Sequence, residues 1–101
     1  MRTAQIGQLV RILRGRGLEQ YAVIIGIEDA RFVWIADGDK RKFDQPKKKN
    51  IQHLELLEEV SREVADSLNE TGRVTNGKLR FAVLSYRKNA DLTLEAHERG
   101  E

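Results

Sequence analysis

The chain of 101 residues has no cysteine, one proline (Pro46), one tryptophan (Trp34) and one methionine (Met1). Without cysteine there is no disulfide framework, no thiolate metal site and no cysteine nucleophile, and nothing points to an oxidising compartment. No apolar run approaches the length of a membrane span. The N-terminus, MRTAQIGQLVRIL, lacks the uninterrupted apolar stretch of a signal peptide. The expectation is a cytoplasmic protein with no membrane partner.

Catalytic chemistry is equally sparse. The two histidines, His53 and His97, are far apart, and Ser61, Ser67 and Ser85 have no base near them in sequence. The Gly15-Arg16-Gly17 segment lacks the glycine spacing and the following Lys-Ser/Thr of a phosphate-binding loop. Asp29, Asp37, Asp39 and Asp44 do not follow calcium-loop spacing and read as turn formers. No catalytic residue, metal site or cofactor is expected.

What is present first is β pattern. Ile6, Val10 and Ile12 alternate with polar or glycine positions, although Leu9 and Leu13 blur the period. In the next run Tyr21, Val23, Ile25 and Ile27 fall on one side and Ala22 and Ile24 on the other. Phe32–Ala36 is a third apolar run. Strands apolar on both faces suit a small closed barrel or a covered sheet. Asp37-Gly38 signals a tight hairpin. A short fourth strand is expected near Arg41–Asp44, broken by Pro46, and a fifth at Ile51–Leu56. Five short strands in so little chain predict a mainly β protein, a five-stranded SH3-like barrel over residues 1–57. An OB-fold needs a helix for which there is no room.

From Glu58 the period changes. Val60, Val64 and Leu68 lie four apart among charged residues, which predicts an amphipathic helix ended by Asn69 and Thr71-Gly72, with Arg62 and Asp66 as an i,i+4 pair. Thr75 or Asn76 is placed to cap a second helix through about Tyr86. A strand at Arg80–Tyr86 is the alternative. The expected organisation is a helical extension over 58–88, which packs on the barrel or supplies a protein contact, and a flexible tail over 89–101.

The second feature is basic charge. Residues 1–57 hold eleven Lys/Arg against seven Asp/Glu, whereas residues 58–101 hold seven against nine. Two triplets stand out, Lys40-Arg41-Lys42 and Lys47-Lys48-Lys49, and Arg14 and Arg16 flank the first turn. Cations that neutralise phosphates release condensed counterions and give salt-sensitive binding. On a strand, no more than two residues of a triplet can face one partner. The plainer alternative is a lysine-rich edge that blocks sheet-to-sheet pairing. Tyr21 and Phe43 neighbour basic loops and are candidates for base stacking, while Trp34 in its VWIA run reads as core. His53 is either a phosphate or base contact, or a half-solvated strand residue.

The segment IGQLVRILRGRG followed by AVIIGIED resembles the KOW motif, the strand–loop–strand of SH3-like barrels in ribosomal proteins and NusG-type elongation factors. Phe32–Leu56 is similar to bacterial KOW-domain RNA-binding proteins, themselves similar to the archaeal and eukaryotic large-subunit ribosomal protein fourteen family. The shared elements are Ile35-Ala36-Asp37-Gly38, Arg41, Pro46-Lys47-Lys48-Lys49 and His53-Leu54. The resemblance covers about residues 5–57. It implies a non-catalytic barrel that binds structured RNA, most often ribosomal RNA, with ribosomal proteins as further partners. It implies Arg16, Arg41, Lys47, Lys48, Lys49 and His53 as contacts. The family loop has the form Gly-Arg-Asp-x-Gly-Lys/Arg. Here Gly17 takes the Asp position, Glu19 the second glycine and Gln20 the basic residue, so the expected contact shifts toward Lys47–Lys49. An SH3-like protein-interaction adaptor is the alternative function.

Overall fold

Alternation along the strands sends apolar side chains to two opposite faces, and in the computed structural model both faces are covered. The backbone is described for residues 3–99 and side chains for residues 3–90. Strands β1 (Gln8–Ile12), β2 (Tyr21–Ile27), β3 (Phe32–Ala36), β4 (Lys47–Asn50) and β5 (Leu54–Val60) precede helices α1 (Arg62–Thr71) and α2 (Asn76–Arg99). The strands form one antiparallel sheet in the order β4-β3-β2-β1-β5. This is the expected mainly β, small barrel-like fold with C-terminal helices.

The concave face buries Val10, Ile12, Ala22, Ile24, Val33, Ile35, Leu54 and Leu56. Side chains from four strands meet there because the sheet curls. Register shifts at Gln8/Val10 and Ile24/Gly26 mark irregularities of the kind that sharpen local twist. The convex face presents Leu9, Val23 and Ala36, which pack against Val64 of α1, Val74, and Leu79, Ala82 and Val83 of α2. Full burial of each large side chain contributes about 1.5–3 kcal/mol, so the helices complete the hydrophobic core. The buried polar side chain Gln8 is satisfied locally: its amide nitrogen donates to the Leu57 carbonyl, and its amide oxygen accepts from the Gln5 N–H.

Several boundaries differ from the sequence expectation. The fourth strand is Lys47–Asn50, after Pro46, and residues 41–44 form bends and a turn. Proline lacks an N–H but stands just ahead of the strand, so no ladder bond is lost. A 3-10 turn, Ile51–His53, separates β4 from β5, with the Asn50 carboxamide accepting from the Gln52 N–H. β5 continues to Val60 because Val60 pairs with Gln8. Glu58–Val60 is therefore strand, and α1 starts at Arg62, capped by the Ser61 hydroxyl, which accepts from the Val64 N–H.

Gly72, in the left-handed region, ends α1 as expected. Arg62 and Asp66 do not pair; among the described residues the ion pairs are Arg11–Glu55 and Lys48–Glu28. Residues 80–86 are helical, not extended, and α2 runs past Tyr86 to Arg99. The tail expected over 89–101 thus begins within α2, and residues 100–101 lie outside the described residues.

Candidate nucleic-acid interface

Two loops and one edge strand build the basic surface. The β1–β2 loop is wound tightly: Glu19 donates its N–H to the Ile12 carbonyl, Leu18 to Gly15 and Gln20 to Gly17. Gly15, Gly17 and Glu19 all have positive φ, Glu19 at 67°. The position that the KOW pattern fills with its second glycine therefore needs a left-handed backbone here, and a glutamate supplies it.

The β3–β4 connection is not the two-residue hairpin expected at Asp37-Gly38. Gly38 has φ 80°, but Asp37 is not in the positive-φ region, as a type I′ turn requires of both residues. Residues 37–46 instead form a longer loop. The Asp37 carboxylate accepts from the N–H groups of Asp39 and Arg41, and the Arg41 carbonyl accepts from Asp37 and Gly38. Asp37 is thus a turn former, as is Asp29, whose Oδ1 accepts from the N–H groups of Arg31 and Phe32. Those two donors hold the Asp29 carboxyl below the ordinary aspartate range. At the loop's far side the Arg80 guanidinium donates to the Gly38 carbonyl at 2.7 Å, tying α2 to the loop.

In β4 the register divides the second lysine triplet. Lys47 pairs with Ile35 and Lys49 with Val33, both concave-face residues, whereas Lys48 pairs with Trp34 on the convex side. Lys47 and Lys49 therefore turn toward the open mouth of the barrel. There they line a cleft of about 270 Å³ together with Arg16, Lys40, Arg41 and a single carboxylate, Asp37. Ile12, Ala22 and Ile35 supply its apolar lining. Lys49 also donates to the Arg14 carbonyl at 2.7 Å, which holds the first loop beside β4. An ammonium has three donors, so this bond leaves two for a ligand.

The structure thus gathers Arg16, Lys40, Arg41, Lys47 and Lys49 and leaves the other candidates outside the cleft. Arg14 is exposed and contributes its carbonyl. Lys42 is exposed on a turn, its carbonyl accepting from the Gln45 N–H. Lys48 lies on the opposite face. His53 is half-buried on the 3-10 turn, where its carbonyl accepts from the Leu13 N–H. Tyr21 packs against Tyr86 with ring centroids 5.3 Å apart, and burial pushes the Tyr86 hydroxyl above the ordinary tyrosine value. Phe43 packs on the helix-side core, and its N–H donates to the Asn76 carboxamide. Arg11, not a candidate, is taken up by Glu55 at 2.8 Å.

Trp34, expected in the core, is half-exposed on the convex face. Its indole N–H donates to Glu28 Oε1 at 3.1 Å. Phe32 lies two residues before it on the same side, and the Lys48 ammonium stands 5.0 Å from the Phe32 ring centroid and 6.0 Å from that of Trp34. The period-two pattern carried this signal: if Val33 and Ile35 point inward, Phe32 and Trp34 point outward. A second cleft, about 330 Å³, lies between α2 and the two loops. It sets Arg80, Arg87 and Lys40 against Glu19, Asp37 and Asp39, so its charge is mixed. No sequence signal brings α2 to that place.

No protein-family profile matches the chain. Over 71 residues it is 49% identical to the Bacillus subtilis (strain 168) protein named "Putative ribosome-binding protein YbzG"; the match spans 70% of this chain and 96% of that protein.

Proposed function

The chain belongs to the YbzG family, and from that premise we propose that it is a non-catalytic, cytoplasmic, ribosome-associated protein that contacts ribosomal RNA phosphates through the basic mouth of a KOW-type barrel. One observation carries the reading: five cations from two loops and one strand converge on a single cleft, with one carboxylate among them, in a chain whose net charge is only +2. The strand and the loop bonds fix the backbone positions of these residues, and the Lys49–Arg14 bond holds one of the five side chains in place. Phosphate contacts position a protein on RNA without reading sequence, which suits recognition of a folded RNA surface. The apolar lining beneath the cations lowers the local dielectric and strengthens each charge contact. The ADG…R…PKKK…HL series supports the KOW assignment, and ribosomal proteins are further partners on this reading.

The test is co-sedimentation with purified ribosomal subunits, together with binding to deproteinised ribosomal RNA at several salt concentrations. The reading expects binding to both, weakening as salt rises. Capture by subunits that survives nuclease treatment, with no binding to free RNA, would contradict it. A protein-interaction role is the second reading, favoured by the exposed Phe81 and Leu84 side chains on α2, which are 65% and 60% accessible. Nuclease-resistant capture of the chain, abolished by Phe81→Ser, is the outcome that reading expects.

A further inference from the structure

The geometry points to a second contact on the other face of β4: Trp34 and Phe32 form a stacking platform for an unpaired RNA base. This inference rests on the RNA-binding reading above and extends it around the edge strand.

Three features make the pair a built surface. First, Trp34 is laid on a bare patch of sheet. It pairs with Gly26 across β2 and β3, so the indole has no side chain beside it there; a Cβ at Gly26 would only touch Trp34 at ordinary van der Waals distance, 3.4 Å from Cδ1 and 3.5 Å from Cβ. Second, the polar surroundings hold it. Glu28 accepts the indole N–H at 3.1 Å and lies 3.9 Å from the Lys48 ammonium, which in turn stands over Phe32. Glu28 is thus engaged by one hydrogen bond and one ion pair, and the neighbouring Asp29 carboxylate accepts from the Arg31 and Phe32 N–H groups. Third, the helices that cover the convex face elsewhere pack on Leu9, Val23 and Ala36, with Phe32 and Trp34 outside that cluster. Aromatic side chains have only two rotatable bonds, so holding them against a base costs little entropy.

The occupant follows from continuity with the basic cleft. β4 is an edge strand of four residues. Lys47 and Lys49 face the cleft on one side of it, and Lys48 faces the platform on the other. A single strand of RNA passing over this edge meets cations on both sides and aromatic rings on one. Its phosphates engage Lys47 and Lys49, an unstacked base lies on Trp34 and Phe32, and Lys48 exchanges its ring contact for the next phosphate. A paired helix keeps its bases stacked inside and has none to offer. The platform therefore selects unpaired nucleotides, and the cleft does not discriminate.

Trp34 is the chain's single tryptophan, so its emission reports on the platform alone. The full chain is titrated with a short single-stranded RNA and with a blunt-ended RNA duplex of equal length, followed by anisotropy of a labelled RNA and by Trp34 fluorescence. The expected result is quenched emission with the single strand and unchanged emission with the duplex. Trp34→Leu is expected to weaken single-strand binding about tenfold while leaving duplex binding unchanged, and Trp34→Phe to restore most of the loss. If anisotropy shows binding while wild-type emission stays constant, or if Trp34→Leu and Phe32→Leu bind the single strand like wild type, the platform is overturned and the basic cleft stands. If neither RNA binds, the platform falls together with the RNA-binding reading. The wild-type emission readout holds even where a variant fails to fold.

Discussion

The Lys49 ammonium donates a 2.7 Å hydrogen bond to the Arg14 carbonyl, a residue 35 positions earlier in the chain. β4 and β1 are not neighbours in the sheet, so this bond bridges the barrel mouth where no ladder does. It sets the distance between the first loop and the lysines of β4, and with it the width of the basic cleft.

Lys49→Met keeps the aliphatic stem but removes the donor. The expected loss is about 1 kcal/mol in urea unfolding, with a Tm fall of about 4–8 °C for a domain of this size. Lys47→Met, which breaks no such bond, is expected to stay within about 0.5 kcal/mol of wild type.

Glu19 sits at φ 67°, where an L side chain crowds the backbone at a cost of roughly 1–2 kcal/mol. Glu19→Gly relieves that strain but frees the unfolded chain by roughly 0.4–1 kcal/mol. The balance predicts a net stabilisation of about 0.5–1 kcal/mol, read from the denaturation midpoint. Removal of the carboxylate beside the basic loop is also expected to raise RNA affinity at low salt.

Gly38 allows α2 to dock. Its φ is 80°, and an added Cβ would collide with the Asn76 carbonyl and lie 3.0 Å from Arg80 N. Gly38→Ala therefore combines left-handed strain with displacement of the helix N-terminus. A loss of more than about 3 kcal/mol is expected, visible as a lowered Tm and faster hydrogen exchange in α2.

Asp29 gives a pH dependence of known sign. The N–H groups of Arg31 and Phe32, the main cause, favour its ionised form, so its folded-state pKa lies below the ordinary value. The stability it lends is fully present above the ordinary aspartate pKa and is lost as pH falls through the depressed one. Asp29→Asn keeps an acceptor but does not titrate. Its denaturation midpoint is expected to fall less steeply on acidification than that of wild type, and an NMR titration of the Asp29 carboxyl locates the step.

The sheet was legible in the sequence because its two apolar faces both leave a period-two trace. Ala22 and Ile24 reach the concave core, and Val23 reaches the helix-covered one. Strand β4 is not legible locally because lysines carry little β signal. Lys47–Asn50 is held by pairing with the apolar β3, a tertiary cause that local pattern does not encode. The α1 start lies later than the period suggests for a similar reason: Val60 continues the helical spacing to Val64, but its pairing with Gln8 keeps it extended. At the site, pattern found the cations and the limit of two per triplet. The strand register then chose Lys47 and Lys49, and the Lys49–Arg14 bond fixed which triplet meets the first loop. Trp34 reads as core in sequence because a hydrophobic run does not say where the covering helices stop.

The proposed function has Lys47 and Lys49 neutralise RNA phosphates at the barrel mouth. Its most direct measure is the salt dependence of binding to ribosomal RNA for wild type, Lys47→Ala/Lys49→Ala and, as a control on each chain's fold, their thermal unfolding. Each phosphate contact contributes about 0.7 to the slope of log affinity against log salt for single strands. The double variant, folded, is expected to bind more weakly at low salt, with a slope shallower by about 1.4. A folded double variant with wild-type affinity and an unchanged slope would contradict the account.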